Sequence, residues 1–445
     1  MAVKKTDEGL ERVIGVSGLA LTILNFTIGA GIFVLPAIIS IELGAFGIFC
    51  YIFCAILLGA IMLCYAEIGS KVTTSGGTYA YVVAAFGEFP GFLINWLYFF
   101  GASICSDAAL MNIITDSLAV LFPVFLNPWL RAFFFFMLMS FMILLNIRGA
   151  KQGITFIKFV TLIKLLPLAA IIVFGFFHIK STNLHWEHLP SFSAFGNTAL
   201  VLFFAFTGFD GALTVSGEIK NPKRTVPRGI LLAGLLILVF YLLLQTVTQG
   251  VLGANMQAVK DAPLAGIAKK MIGPVGATIL LLTAAFSCFT YVFGDVLATP
   301  RLLFAGAKDG LFPKFLGKVH PKFATPYLAI ICYAGLIFII SVSGGFKQLA
   351  IFVSASILLV YLAVILATIK LRTKKLKGSD KTFRIPGGLI IPFIGIAAIV
   401  WLLSSLSKWE ILSVIIFMAA VCVIYFVMKK IKNSKVLEDI KEELI

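Results

Sequence analysis

The stretch Thr27-Ile-Gly-Ala-Gly-Ile-Phe-Val-Leu-Pro36, TIGAGIFVLP, decides how this chain is read. Gly29, Gly31 and Pro36 fall within eight residues of an otherwise apolar run. Glycine exposes backbone, and proline leaves the carbonyl four residues earlier without its helical partner. In hydrocarbon each unpaired backbone group costs several kcal/mol, so a helix broken there must have something to bond.

The surroundings of the stretch are hydrocarbon. Of 445 residues, 60% are hydrophobic and 13% charged, where a soluble domain carries roughly a quarter charged residues. Apolar runs of spanning length recur at 13–40, 44–68, 90–122, 129–147, 153–178, 193–217, 228–252, 274–303, 326–344, 347–370, 386–406 and 410–429. The expected class is an all-α polytopic membrane protein with 12 transmembrane helices. With the N-terminus inside, inner loops, tails and adjoining span ends hold 27 of the 36 Lys and Arg residues, and the outer side holds seven. That asymmetry follows the positive-inside rule and predicts an integral plasma (inner) membrane protein with both termini cytoplasmic.

The same distribution accounts for the net charge of +16 without nucleic acid. The basic loop RTKKLKGSDKTFR (372–384) reads as a topology determinant facing anionic lipid. The tail KNSKVLEDIKEELI reads as a short solvated helix; no signal-peptide pattern is visible, since Met1–Arg12 is polar and the apolar run after it is too long for an h-region. Cys50, Cys54, Cys64, Cys105, Cys288, Cys332 and Cys422 all fall in predicted spans, without metal-ligand spacing, and read as small apolar residues. No cofactor is expected.

The broken stretch has an echo. The sixth span contains FFAFTGFDGALTVSG, in which Gly208, Gly211 and Gly217 crowd a Phe-rich segment. Gly29 and Gly208 stand 179 residues and five spans apart. A five-span unit repeated with inverted orientation would bring both breaks together near the midplane, as in secondary transporters. Glycine also serves close helix packing in membranes, so the pairing in sequence carries the reading more than the glycines themselves. Unwound backbone offers N–H groups and carbonyls, and half-helix N-termini carry partial positive charge. A zwitterionic α-amino acid needs both.

Five ionisable residues lie deep in predicted spans: Asp107, Lys158, Lys164, Asp210 and Asp295. Unpaired, they would together cost about 12–18 kcal/mol on an insertion scale. Lys158 is close enough to the cytoplasmic end to snorkel. Lys164, two turns deeper, is expected to contact carbonyls or a carboxylate; as a tethered cation it could occupy the place of a coupling ion, and reversible deprotonation of its amine would be one route to proton coupling. For the three aspartates an ion pair with Lys164 or a helix-locking hydrogen bond stands beside a role as proton carrier or counter-charge for a cationic substrate.

Four ordered motifs resemble the amino acid–polyamine–organocation (APC) permeases. GAGIF (29–33) resembles the family's first-span Gly-Ser-Gly-Ile-Phe signature, with Ala30 in place of the usual serine. YAEIGSKVTTSGGTYAYVVAAFG (65–87) is similar to the second-span exit and re-entrant segment. GFDGALTVSGEIKNPKRTVPRGI (208–230) resembles the sixth span and its exit loop. ATPRLLFAGAKDGLFPKFLGKVHPKFATP (298–326) resembles the eighth-to-ninth connection.

The resemblance implies the leucine-transporter (LeuT) fold, with a 5+5 inverted repeat and broken first and sixth helices. On that frame 1–12 is a cytoplasmic tail, 13–180 and 193–371 are the two repeats, 386–429 holds two additional helices and 430–445 is a second cytoplasmic tail. It implies that Gly29, Ala30 and Gly31 offer N–H groups to a substrate carboxylate. The carbonyls of Thr27, Phe204 and Thr207 would accept from its ammonium. Phe206 and Gly208 belong to the same site, and Phe204 would close over the substrate from outside. Lys164 would stand where sodium-coupled cousins bind sodium, with Asp210 as a second coupling residue. Asp107 and Asp295 would line the side-chain pocket and favour a cationic amino acid or a polyamine, or one of them would carry a proton.

The expected function is therefore secondary active amino acid transport by alternating access, as a proton-coupled symporter or an exchanger. Expected partners are a small amino acid, lipid and, in the symport case, protons. The residues speak against an enzyme, because the four histidines lie at span ends or in loops. His185 and His188 of HWEH have i,i+3 spacing but no further ligand nearby in sequence. A channel would show a continuous polar pore or a repeated filter. A permease-like sensor, which binds without moving its ligand, has the same sequence signature.

Overall fold

A computed structural model describes residues 14–29, 31–72, 77–148, 154–186, 189–213, 219–308, 312–323, 325–373 and 383–443. In chain order the helices are α1 (Val16–Thr27), α2 (Gly31–Leu43), α3 (Gly47–Lys71), α4 (Gly77–Phe86), α5 (Glu88–Trp96), α6 (Cys105–Leu121), α7 (Pro128–Ile147) and α8 (Ile154–Phe176). There follow α9 (Phe192–Phe203), α10 (Pro222–Leu252), α11 (Pro263–Lys308), α12 (Tyr327–Ser343), α13 (Phe346–Thr373), α14 (Ile390–Ser404) and α15 (Lys408–Glu443). Among the described residues eight continuous helical stretches are long and apolar enough to cross a membrane, and further apolar helices are shorter.

Local chemistry sets several of the ends. Asn127 caps α7 by accepting from Trp129 N at 2.9 Å and Leu130 N at 3.4 Å, with Pro128 in the first turn where its missing N–H costs nothing. Ser191 caps α9 through Ala194 N at 3.1 Å. α11 is longer than the expected 274–303 span because it begins at Pro263 and bends at Ile272–Gly273, where Gly273 takes φ +75°. α15 runs on from the last span to Glu443, so the tail helix is a continuation rather than a separate element.

α5 passes into α6 through a π-helical segment, Leu97–Ile104. Its small residues allow close approach: a Cβ on Gly101 would sit 2.6 Å from Ser356 Oγ on α13. A π segment widens the helix and re-aims its side chains, and such segments concentrate at functional sites.

α10 lies along both α3 and α1, while α6 is flanked by α11 and α13, so these six helices form the centre. The outer face of α7 exposes Phe133, Phe136, Phe141 and Leu144, the pattern of a surface in hydrocarbon rather than water. At one end of the centre Glu67 of α3 is fully buried. It accepts from Arg372 Nε at 2.8 Å, Arg372 Nη2 at 2.5 Å, Lys71 Nζ at 2.8 Å and Ile385 N at 3.0 Å. That node ties α3, α13 and the approach to α14 together. Near it the chain before α1 is bonded to the chain before α10, with Lys220 N donating to Ile14 O at 2.8 Å.

Candidate functional site

Helix α1 stops at Thr27 because the next residue turns the chain. Ile28 has φ −76° and ψ 73°, and Gly29 N donates back to Thr27 O at 2.8 Å. This is an inverse γ-turn. Helicity resumes at Gly31, and Ala30 lies outside the described residues. The second break follows α9. A single 3₁₀ turn, Phe204–Phe206, leads to Thr207 in extended conformation and to Gly208 at φ +96°. Thr207 closes the turn on Phe204 O through its N at 3.3 Å and its Oγ1 at 2.8 Å.

The two breaks touch. A Cβ on Gly208 would lie 2.8 Å from Phe26 O, so glycine is required there both by φ and by the approach of the other backbone. A Cβ on Gly31 would meet Phe204 and Ala205 at 3.2 and 3.3 Å. Between the breaks stands a residue that sequence reasoning missed, Tyr241 of α10. Its buried hydroxyl is 2.7 Å from Ala205 O and 3.1 Å from Thr27 O. One proton thus serves a carbonyl from each broken helix.

Of the expected main-chain groups, Gly29 N, Thr27 O and Phe204 O are engaged within the protein in this conformation. Thr27 O accepts from Gly29 N and Tyr241, and Phe204 O accepts twice from Thr207. Phe206 falls elsewhere than expected. In a 3₁₀ turn residues i and i+3 eclipse, so Phe204 and Thr207 share a face and Phe206 points away. Its fully buried ring packs against Tyr241 at 5.0 Å and Tyr51 at 6.3 Å.

Two adjoining spaces lie at the breaks. A space of about 20 Å³ is bounded by Thr27, Gly29, Gly31, Phe204 and Thr207, room for little more than one water. A cavity of about 350 Å³ continues from it past Thr207, Gly208 and Asp210 to Asp295, Thr299 and Arg301, a size usual for a small-ligand site. Phe26, Ser106, Thr207 and Tyr291 border both spaces. Phe204 closes the narrow end, edge-on to Phe346 at 5.6 Å.

The deep charges divide into distinct environments. Lys164, 2% exposed, donates to Asn25 O of α1 at 2.6 Å, so its partner is a carbonyl one turn before the first break and not a carboxylate. Asp210 lines the larger cavity and accepts from Tyr361 Oη of α13 at 2.7 Å. Asp295 also lines it and accepts from Ser103 Oγ at 2.7 Å, Tyr333 Oη at 2.8 Å and Thr299 Oγ1 at 2.5 Å. Asp107 does not reach the cavity: it is 0% exposed and lies behind Tyr333, whose Oη is 2.8 Å from Asp107 Oδ2. The side chain of Lys158, and Glu187 and His188 of the HWEH motif, fall among residues whose placement is not described.

Tyrosine is the signal that sequence reading passed over. Tyr241, Tyr333 and Tyr361 are all fully buried in apolar helices, and a buried tyrosine hydroxyl requires a polar partner. Each such residue therefore announces a polar centre, although not which one.

The amino acid permease family matches residues 14–437, nearly the whole chain. The chain is 30% identical to the serine/threonine exchanger SteT of Bacillus subtilis, over 96% of this chain and 99% of that protein. It is 27% identical to the branched-chain amino acid permease BcaP of the same organism, over 98% of this chain and 96% of the relative. A methylthioribose transporter of B. subtilis is 29% identical over 96% of this chain and 95% of its own length. With apolar helices of spanning length and a full-length match, the chain is an integral membrane protein that belongs to the amino acid permease family.

Proposed function

We propose that the chain is a secondary active amino acid transporter working by alternating access. Its frame would be twelve spans in the plasma (inner) membrane with both termini cytoplasmic: two inverted five-helix repeats, 13–180 and 193–371, followed by two helices in 386–429. The observation that carries the reading is the contact of the two breaks, Gly208 against Phe26 O, beside a cavity of ligand size. The substrate main chain would bind at the narrow space beside Gly31, where Gly29, Thr27, Phe204 and Thr207 would exchange their internal hydrogen bonds for the substrate's carboxylate and ammonium. Exchange of one hydrogen bond for another is nearly neutral in free energy, which suits a site that must both load and release.

In the proposed topology the Thr299–Arg301 end of the cavity is cytoplasmic, and Phe204 on Phe346 is the outer closure. Lys164 would hold α8 to α1 beside the first break through its bond to Asn25 O. Rocking of the bundles about the breaks would then open the opposite side. The substrate side chain would extend into the larger cavity. Asp210 and Asp295 on its wall favour a cationic side chain, since the guanidinium of Arg301 is turned onto Leu297 O. A second reading, a neutral side chain, is favoured by the relatives named for branched-chain and for serine/threonine transport.

Uptake of the twenty labelled amino acids and putrescine into proteoliposomes, each competed by the others, tests both levels. Flux of at least one amino acid is expected. Arginine, lysine or putrescine leading the panel selects the cationic reading, whereas isoleucine or serine selects the neutral one. Binding without flux of any compound would make the protein a sensor and overturn the transport reading.

A further inference from the structure

Asp107, Tyr333 and Asp295 come from α6, α12 and α11 and meet at one hydroxyl. Tyr333 Oη is 2.8 Å from Asp107 Oδ2 and 2.8 Å from Asp295 Oδ2. Ser103 Oγ is 2.7 Å from Asp295 Oδ2 and 3.0 Å from Tyr333 Oη. A phenol has one proton and donates once. If both carboxyls were ionised, one of the two short Tyr333 contacts would set a lone pair against an anion in a buried place. A second proton removes the conflict.

The donor sets say where that proton sits. Asp295 accepts from three hydroxyls, those of Ser103, Thr299 and Tyr333, the acceptor-only pattern that needs no proton of its own. Asp107 has no exposure, and its Oδ1 has no hydrogen-bond partner among the described residues. A buried carboxylate with a bare oxygen is costly, whereas a carboxylic acid donating through Oδ2 is not. The arrangement that satisfies all three groups would have Asp107 Oδ2–H donating to Tyr333 Oη, with the proton of Tyr333 donated to Asp295 Oδ2. Asp295 alone of the three borders the cavity of about 350 Å³.

We propose that Asp107, Tyr333 and Asp295 form a proton relay that couples transport to a proton gradient, with the proton stored on Asp107 and exchanged with the cavity through Asp295. The proposal rests on the transporter reading above and assigns its coupling ion. In the transfer, the Asp107 Oδ2–H bond breaks as a new Tyr333 Oη–H bond forms. The original Tyr333 proton passes to Asp295 Oδ2. Asp107 is left ionised, Tyr333 neutral, and Asp295 protonated, ready to give its proton to water in the cavity.

The other ionisable groups facing the relay are Tyr291 of α11 and Tyr98 of the π segment, with Asp210, Tyr361 and Arg301 around the cavity. Lys164 is held at Asn25 O. Of these, Asp210 and Arg301 line the same cavity as Asp295.

The test uses full-length protein in proteoliposomes and the amino acid that gives the highest flux in the panel. Two rates are measured for wild type, Asp107→Asn and Tyr333→Phe: uptake driven by an inward proton gradient, and counterflow against the same unlabelled amino acid at equal pH. Wild-type uptake is expected to rise about tenfold with the gradient, with substrate-dependent acidification of trapped pyranine. In both variants that stimulation and acidification should vanish while counterflow stays within about twofold.

Retained stimulation in either folded variant overturns the relay. Wild-type counterflow without any gradient effect also overturns it and leaves the transporter reading standing, whereas absence of all flux removes the transporter reading itself. Should Asp107→Asn not fold, Tyr333→Phe and the infrared C=O band of a protonated buried carboxyl in the wild type keep the proposal open to refutation. Absence of that band at neutral pH overturns it.

Discussion

Replacing Gly208 by alanine probes the contact on which the site depends. The added Cβ would lie 2.8 Å from Phe26 O, below the 3.0 Å that real Cβ atoms essentially never cross, and the obstacle is backbone rather than a movable side-chain end. The residue also sits at φ +96°, where a side chain costs roughly 1–2 kcal/mol. Forcing the two breaks apart adds roughly 1–3 kcal/mol of overpacking. A combined penalty of about 2–5 kcal/mol on the assembled site corresponds to a fall of at least about 30-fold in initial uptake rate.

Gly211→Ala is the internal control. Its Cβ would meet Phe26 and Tyr98 only at ordinary distances of 3.7 and 3.8 Å, and its φ is not positive. Initial rates in proteoliposomes, normalised to monodisperse protein on size exclusion, read the difference. Equal rates for Gly208→Ala and Gly211→Ala would refute the claim that the breaks must touch.

Three further outcomes are expected. Tyr241→Phe leaves Thr27 O and Ala205 O without their shared donor and should destabilise the protein by about 1–3 kcal/mol, read as a lowered melting temperature in detergent; an unchanged melting temperature would show that water replaces the hydroxyl at no cost. Glu67→Ala strands Arg372, Lys71 and the Ile385 N–H, and should cost about 3–5 kcal/mol; loss of monodisperse protein or a large fall in thermal stability is the readout, and wild-type stability would contradict the node's role. Lys164→Ala leaves Asn25 O unpaired beside the first break and should abolish counterflow as well as gradient-driven uptake, in contrast to Asp107→Asn; unchanged gradient-driven uptake would show that the lysine only fills space.

What could be read from the sequence was where the chain departs from regular helix. Glycine and proline report local backbone, and Gly29 and Gly208 do sit at the two interruptions. The depth of Lys164 in its span likewise implied an internal acceptor, which is Asn25 O. What could not be read is what a helix rotation decides. Asp107 and Asp295 looked equivalent in sequence, yet Asp295 borders the cavity and Asp107 stands behind a tyrosine.

The same holds for Phe204 and Phe206, two residues apart in one 3₁₀ turn and directed to different surroundings. Contacts across long separations were equally silent. Glu67 meets Arg372 from 305 positions away, and neither residue carries a local pattern that names the other. The π segment at Leu97–Ile104 has no composition that separates it from α-helix.

The account's central claim is that an amino acid is held by its main chain where the two breaks meet. The most direct measurement compares, as inhibitors of labelled uptake, the best substrate with its methyl ester and its N-acetyl derivative. Blocking either end removes charge-assisted hydrogen bonds worth about 1.5–3 kcal/mol each. Inhibition constants are therefore expected to weaken by tenfold or more for each derivative, while changes of side chain within one class alter them less. Inhibition by both blocked derivatives equal to that of the free amino acid would contradict the claim.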